Sequence, residues 1–464
     1  MTIHLIGVCG TAMATLAAML RRRGFTVRGS DQDVYPPMSD FLKAEGIEVL
    51  SGYRAEHITQ DLDLIVVGNA ISRGNPELEE VLDRKIRYCS LPEAIRDHFL
   101  WGARSIVVAG THGKTTTTAL TGWLLTAGGV DPSVLVGGIA RNFGEGGSSY
   151  RIGQGRDFVI EGDEYDSAFF DKTAKFLKYL PDVAVLNNVE FDHVDIYPDM
   201  EALRQAFRRF VNLVPRRGLL LVGADSAEAQ KVAANARSRV ATFGLGPGLD
   251  WQGHDIEPAG ASTRFKVRRG GMPFGVFDVP LVGTYNVRNA LAAIAVATEV
   301  GIGVERIAEG LRAFAGVKRR LEVVGERAGV TVFDDFAHHP TAVAETLAGV
   351  RAAHPAGRIW AVFEPRSASS CRRLFLDDFA AAFSSADEVL IAPVFRTTLP
   401  DAERLPVGEL VGRLKDRGVP ARDPASIEEI VDTIVREHRA GDLVVIMSNG
   451  GFGGIHRRLL QALG

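Results

Sequence analysis

A lysine that must reach phosphate is best placed just after a glycine turn, and the sequence supplies one. Gly110-Thr111-His112-Gly113-Lys114-Thr115-Thr116-Thr117-Thr118 follows the apolar run 105–109. Strand, glycine turn, lysine and a hydroxyl-rich helix start together make a nucleoside-triphosphate cradle. Glycines let successive backbone N–H groups face phosphate oxygens, and the new helix adds its positive end. Lys114 then reaches the outer phosphates, and Thr115 is placed to ligate Mg²⁺. Binding of ATP or GTP by Gly110, Thr111, His112, Gly113, Lys114, Thr115 and Thr116 is the expectation. The turn is shorter than the full G-x-x-x-x-G-K-[ST] pattern, because Val108 stands where its first glycine belongs.

A phosphate cradle also needs carboxylates at neighbouring strand ends to hold the metal. The apolar run 157–161 ends in Glu161 and is followed by Asp163, Glu164 and Asp166. Glu161 is the first choice for a metal ligand. A second run, 183–193, delivers Asn187, Glu190, Asp192 and His193 at its carboxyl end, the edge where parallel sheets bind ligands. A structural histidine and a ligand both stay open for His193.

These residues need strands to position them, and short β-branched runs alternate with helical patterns throughout the chain. Strands are expected at 3–6, 64–67, 106–109, 158–160, 183–186, 219–222, 359–363, 388–391 and 443–447. The fold class that follows is α/β with three domains. They are an N-terminal Rossmann-like domain, 1–100, a central domain with a P-loop ATPase-type parallel or mixed sheet, 101–317, and a C-terminal Rossmann-like domain, 318–464. The first opens with a strand, a glycine turn at Gly7 and Gly10, a helix through Arg22 and a second strand, Phe25 to Arg28, that leads to Gly29-Ser30-Asp31. Cys9 and Ala12 occupy the second and third glycine positions of the dinucleotide fingerprint, so a nicotinamide cofactor is not expected. A glycine turn at a helix start still suits another diphosphate, with Ser30 or Asp31 meeting a base or ribose. A tight turn without a ligand remains the alternative.

Composition narrows the classes further. The chain has 464 residues, 46% hydrophobic and 24% charged, with a net charge of −4. That balance gives no reason to expect nucleic acid or a membrane as partner. Arg204, Arg208, Arg209, Arg216 and Arg217 alternate with Phe207, Phe210, Val211 and Leu213, as on the solvated side of an amphipathic helix. Three scattered cysteines, Cys9, Cys89 and Cys371, suggest a reducing compartment. No basic n-region or cleavage site precedes residues 2–6, and no apolar run approaches the roughly 20 residues of a bilayer span. Cytoplasmic localisation is expected. The partners expected are small-molecule substrates, in a monomer or weak homodimer.

The order and spacing of these elements resemble the Mur ligase family, ATP-dependent amide-forming enzymes of peptidoglycan assembly, over essentially the whole chain. The resemblance rests on the G-T-x-G-K-T loop at 110–115, Glu161 and the N-x-x-x-x-D-H element at 187–193. Asn286 and Asn289 in Gly283-Thr284-Tyr285-Asn286-Val287-Arg288-Asn289, then Arg320, Asp334 and Asp335, complete it. It implies ATP and Mg²⁺ as cofactors. It implies Lys114, Glu161 and His193 as catalytic residues, with Thr115, Glu161 and His193 on Mg²⁺ and Asn286, Asn289, Arg320 and Asp335 on ATP. The UDP-sugar donor would meet Gly10, Ser30, Asp31 and Asn69, with Asp163 and Glu164 also in contact with substrate. Arg366, Ser448 and Asn449 would meet the incoming peptide. The reaction implied converts the muramyl carboxylate of UDP-N-acetylmuramate to an acyl phosphate, which an amine then attacks.

Two strings, residues 161–172 and 447–456, resemble the recycling branch, whose acceptor is the tripeptide L-alanyl-γ-D-glutamyl-meso-diaminopimelate. The L-alanine-accepting branch is the alternative. A non-catalytic protein gated by nucleotide is the alternative from another class. Two departures from the family pattern stand out. No lysine occurs between Lys178 and Lys231 to supply the carbamylated bridge of many members, and Tyr285 replaces the usual histidine of G-x-H-N-x-x-N. Zinc at His338 and His339 is not expected, since neighbours in sequence rarely share one ion and no partner motif exists. No Gly-x-Ser-x-Gly elbow supports a serine hydrolase.

Overall fold

Parallel strands need a crossover long enough to carry the chain back to the same edge, and a helix fills that length. The computed structural model describes residues 1–464 apart from 37 and 397. It is α/β throughout, with parallel and mixed sheets. The chain divides into two compact units. One holds Met1–Val189, Glu201–Thr242 and Ala292–Gly303; the other holds Glu190–Met200, Phe243–Leu291 and Val304–Gly464. No helix among the described residues is long and apolar enough to cross a membrane.

The first unit opens with a five-stranded parallel sheet in the spatial order Glu48–Ser51, Thr26–Asp31, Thr2–Ile6, Leu64–Val67, Tyr88–Ser90. The order reverses at the centre, so a crevice is expected beyond Ile6 and Val67. Gly7 follows at once with a φ of 84°, which an L side chain rarely adopts, and leads into the helix Thr11–Arg22. The strand Thr26–Asp31 runs three residues beyond the sequence expectation and takes in Gly29, Ser30 and Asp31.

In a second sheet of this unit, Arg104–Ala109 lies between Val183–Leu186 and Asp157–Gly162, all parallel. Leu219–Gly223 extends one side. Ser133–Ala140 extends the other, with Ser148–Arg151 antiparallel to it. Both faces of Arg104–Ala109 are covered, which explains the unbroken apolar run of its sequence. Register pairs Ala109 with Leu186 and Gly162, so Gly110, Asn187 and Glu161 emerge at one edge. After Gly162 the hairpin Asp166–Ala168 and Asp171–Ala174 departs. At its tip Phe169 packs on the core of Ile6, Ile58, Leu62, Ile65 and Val67, and Phe170 meets Tyr88 edge to face at 5.1 Å.

The second unit contains an antiparallel meander, Trp251–Ala259, Ser262–Arg269 and Met272–Val279. Gly270 and Gly271 both take positive φ at its second turn, as a two-residue type I′ hairpin requires. A six-stranded sheet follows in the order Glu322–Arg327, Val330–Asp335, Leu443–Met447, Ile359–Phe363, Glu388–Ile391, Ala421–Arg422, parallel except for its first strand. Strand alternation divides its core cleanly. Ile359, Ala361 and Phe363 face one apolar cluster while Trp360 and Val362 face the other.

Candidate active site

Asn188 holds the glycine turn from below. Its carbonyl accepts the Thr111 N–H at 3.1 Å, and its Oδ1 accepts the His112 N–H at 2.8 Å. Asn187 Nδ2 reaches both the turn, 3.3 Å from the His112 carbonyl, and the helix, 3.1 Å from Thr117 Oγ1. A Cβ on Gly110, whose φ is 130°, would lie 3.0 Å from the Asn188 backbone. Gly113, at a φ of 79°, caps the helix Lys114–Ala127, whose first four threonines are buried. Neither Asn188 nor Gly137, described next, figured among the sequence expectations. The asparagine doublet at a strand end was the available signal.

Glu161 is tied at both oxygens. Thr115 Oγ1 lies 3.1 Å from Oε1, and the Gly137 N–H donates to Oε2 at 2.7 Å. A Cβ at Gly137 would fall 2.7 Å from both carboxylate oxygens, so only glycine leaves the acid its place. Lys114 meets the acidic turn: Nζ donates to Glu164 Oε1 at 2.9 Å and to Oε2 at 2.7 Å. Burial disfavours its ammonium, but the Glu164, Asp163 and Glu161 carboxylates outweigh this and hold its pKa above the ordinary lysine value. Asp163 pairs with Lys175 at 2.8 Å. Asp166 binds Lys172 at 2.6 Å and Asn69 Nδ2 at 3.1 Å, which ties the end of Leu64–Val67 to the hairpin.

At the other glycine turn, Gly10 caps the helix Thr11–Arg22 with its own φ at −64°. Asp31 Oδ2 accepts the Cys9 N–H at 2.7 Å, and Oδ1 accepts the Tyr53 hydroxyl at 3.2 Å. Ser30 turns inward. It is fully buried, and its hydroxyl donates to Glu77 at 2.5 Å.

The second unit carries the remaining candidates. His193 has a φ of 54° and is buried beside Asp192. The Asp192 carboxylate accepts from the His193 N–H at 2.7 Å and the Ser369 hydroxyl at 2.5 Å, with His338 Nε2 at 3.8 Å. Burial opposes the charge on Asp192, yet His193, His338, His339 and Ser369 together hold its pKa well below the carboxylate range. His338 and His339 part company: His338 Nδ1 lies 2.9 Å from the Phe336 carbonyl, and His339 faces Glu190 and the Phe191 carbonyl.

On the helix Thr284–Val300, Asn289 Nδ2 donates to Asn286 Oδ1 at 3.1 Å. Asp335 accepts the Leu321 and Ala337 N–H groups at 2.6 and 2.7 Å, while burial raises its pKa despite Arg320 nearby. Arg320 lies over the Phe336 ring at 4.9 Å. Tyr285 is half-buried beside Asp335 and Glu345, and desolvation drives its phenol pKa up.

At the strand ends 364–366 and 448–450, Ser448 donates to the buried Glu364 at 2.5 Å, and the Gly450 N–H donates to Ser448 Oγ at 2.9 Å. Arg366 stacks on Phe395 at 3.6 Å and lies 3.5 Å from Glu364. A Cβ on Gly450 would come within 2.1 Å of Arg366 Nε. Asn449 Oδ1 is buried with no hydrogen-bond partner among the described residues.

Comparison with known proteins identifies the family. The Mur ligase family catalytic domain matches residues 2–100, the Mur ligase middle domain 108–297, and the Mur ligase glutamate ligase domain 319–450. The UDP-N-acetylmuramate–L-alanyl-γ-D-glutamyl-meso-2,6-diaminoheptandioate ligase of Haemophilus influenzae is 39% identical over 462 residues, covering 99% of each chain. The UDP-N-acetylmuramate–L-alanine ligase of Salinibacter ruber is 35% identical over 97% of this chain and 92% of its own. The crystal structure of a murein peptide ligase from Psychrobacter arcticus superposes with a TM-score of 0.71 at 36% identity, covering 100% of this chain and 99% of its own. Likeness of this extent, with all three domain models matched in order, places the chain in the Mur ligase family.

Proposed function

We propose that this ATP-dependent ligase joins UDP-N-acetylmuramate to the free amine of L-alanyl-γ-D-glutamyl-meso-diaminopimelate, in peptidoglycan recycling. The observation that carries the acceptor is the full-length similarity to the Haemophilus influenzae ligase named for that tripeptide. Three domains serve the reaction in this reading: 1–100 for the UDP-sugar, 101–317 for ATP, and 318–464 for the acceptor peptide and part of the nucleotide. The protein acts in the cytoplasm, as a monomer or weak homodimer.

The residues present fit a magnesium nucleotide. Gly110 and Gly113 hold positive φ at a helix start, and Thr115 with Glu161 offers the hard oxygen donors that Mg²⁺ prefers. His193, in the second unit, is a further Mg²⁺ ligand in this reading. When bound, ATP and Mg²⁺ supply the phosphoryl group and neutralise its charge, which drives an amide bond that is uphill in water. Lys114 and the loop N–H groups orient the outer phosphates. Asn286, Asn289, Arg320 and Asp335 hold the nucleotide, and Gly10, Asp31 and Asn69 hold the donor, with Ser30 supporting the turn from inside. Asp163 and Glu164 meet the substrate in this reading. Arg366, Ser448 and Asn449 receive the peptide, the guanidinium offering a fork for a carboxylate.

The test supplies UDP-N-acetylmuramate, ATP and Mg²⁺ with either the tripeptide or L-alanine and follows ADP release. Release that requires the tripeptide supports the proposal. Use of L-alanine alone would assign the chain to the alanine-accepting branch instead, and release that ignores every acceptor would leave a nucleotide-binding protein.

A further inference from the structure

Glu77 is fully buried at the start of the helix Pro76–Asp83, yet four polar groups from three other segments converge on its carboxylate. His57 Nδ1 lies 2.6 Å and the Arg54 N–H 3.3 Å from Oε1. His4 Nε2 lies 3.1 Å and the Ser30 hydroxyl 2.5 Å from Oε2. Burial disfavours its charge, but the bonds from His4, Ser30 and His57 outweigh this and keep its pKa below the ordinary value. A buried, ionised carboxylate adds little net stability over a well-packed apolar group, so its retention calls for another reason.

Two lines of contact run from Glu77 to the glycine turn at 7–10. Through the first, Ser30 is held so that its carbonyl accepts both the Gly7 and Val8 N–H groups, at 2.9 and 3.0 Å. Through the second, His57 and Arg54 fix the segment that carries Tyr53, whose hydroxyl donates to Asp31, and Asp31 accepts the Cys9 N–H. Burial pushes the Tyr53 phenol up to about 12, so that hydroxyl keeps its proton near neutrality. Gly7 and Val8 are thus held by Ser30, which Glu77 contacts directly, and Cys9 by Asp31, which Glu77 reaches only through the segment of Tyr53.

We propose that Glu77 is a positioning residue for the donor's diphosphate, acting through Ser30 and through Tyr53 and Asp31 on the turn Gly7–Gly10. The proposal rests on the reading that this turn binds the UDP-sugar. Glu77→Gln is expected to raise KM for UDP-N-acetylmuramate about tenfold, the effect of losing roughly one charged hydrogen bond, with KM for ATP and for the acceptor unchanged. Tyr53→Phe, which leaves the buried cluster intact, should raise the donor KM by about threefold. It also carries the test if Glu77→Gln fails to fold. Gly10→Val is the control, since a Cβ there meets only the Gly7 carbonyl, at 3.6 Å. If Gly10→Val weakens donor binding while the other two variants do not, the positioning role is wrong and the donor reading survives. If Gly10→Val has no effect, the donor reading fails and the proposal with it. Equal rises in the donor and ATP KM values would mark a general loss of fold and also overturn it.

Discussion

Lys114 and Glu164 form a two-point ion pair, with both carboxylate oxygens within 2.9 Å of Nζ and side-chain exposures of 11% and 1%. Removing one partner of such a pair leaves a charge stranded away from water. Glu164→Gln is therefore expected to lower stability by about 3 kcal/mol in urea unfolding. The same change frees the ammonium from a competing anion and should tighten ATP binding in calorimetric titration. Unchanged stability together with unchanged ATP affinity would show that the pair does neither job.

Gly137→Ala places a methyl group 2.7 Å from both Glu161 oxygens. The carboxylate must then swing away from Thr115. Since Gly137 is itself exposed, the melting temperature should hold while kcat falls by about 10–100-fold, as when the support of a metal ligand is lost. A variant as active as the parent would remove Glu161 from the metal site.

The pH dependence of folding should carry the mark of Glu77. Its pKa in the fold lies below the ordinary glutamate value, so its contribution to stability is complete above that value and declines as the pH falls through the folded one. Glu77→Gln should flatten the stability curve below the ordinary glutamate range. Denaturant midpoints measured from pH 3 to pH 7 decide the matter, and parallel curves for the two proteins would contradict it.

Gly450→Ala collides with Arg366, since the added Cβ would lie within 2.5 Å of three atoms of its side chain. The guanidinium must leave its stacking position on Phe395. About a tenfold rise in KM for the tripeptide is expected, with the donor KM unmoved, as for loss of one charge-assisted contact. An unaffected tripeptide KM would exclude Arg366 from the acceptor.

The phosphate loop was legible because its meaning is local: strand, glycines, lysine and threonines are contiguous, and backbone sterics alone dictate their shape. The parallel strands were legible for a related reason, as 106–109, 183–186 and 443–447 are buried on both faces and read as apolar runs. Ser133–Ala140, Ser148–Arg151 and the meander from Trp251 to Val279 were not expected as strands. Their glycines, charges and half-exposed faces blur the period of two. Ser30 illustrates the deeper limit. At the end of a strand it reads as a ligand contact, but Glu77, 47 residues further on, claims its hydroxyl. Asn188 and Gly137 likewise acquire their roles only through partners distant in sequence.

The hairpin tipped by Phe169 and Phe170 has a consequence for how the first hundred residues behave. Phe169, like Tyr53, Leu82 and Ile86, packs against the core under the first sheet, so that stretch of chain ends in a seam rather than a border. Cut away after residue 100, it would carry an oily scar and clump in solution. Left whole, it should melt in a single endotherm with the strands that carry Lys114.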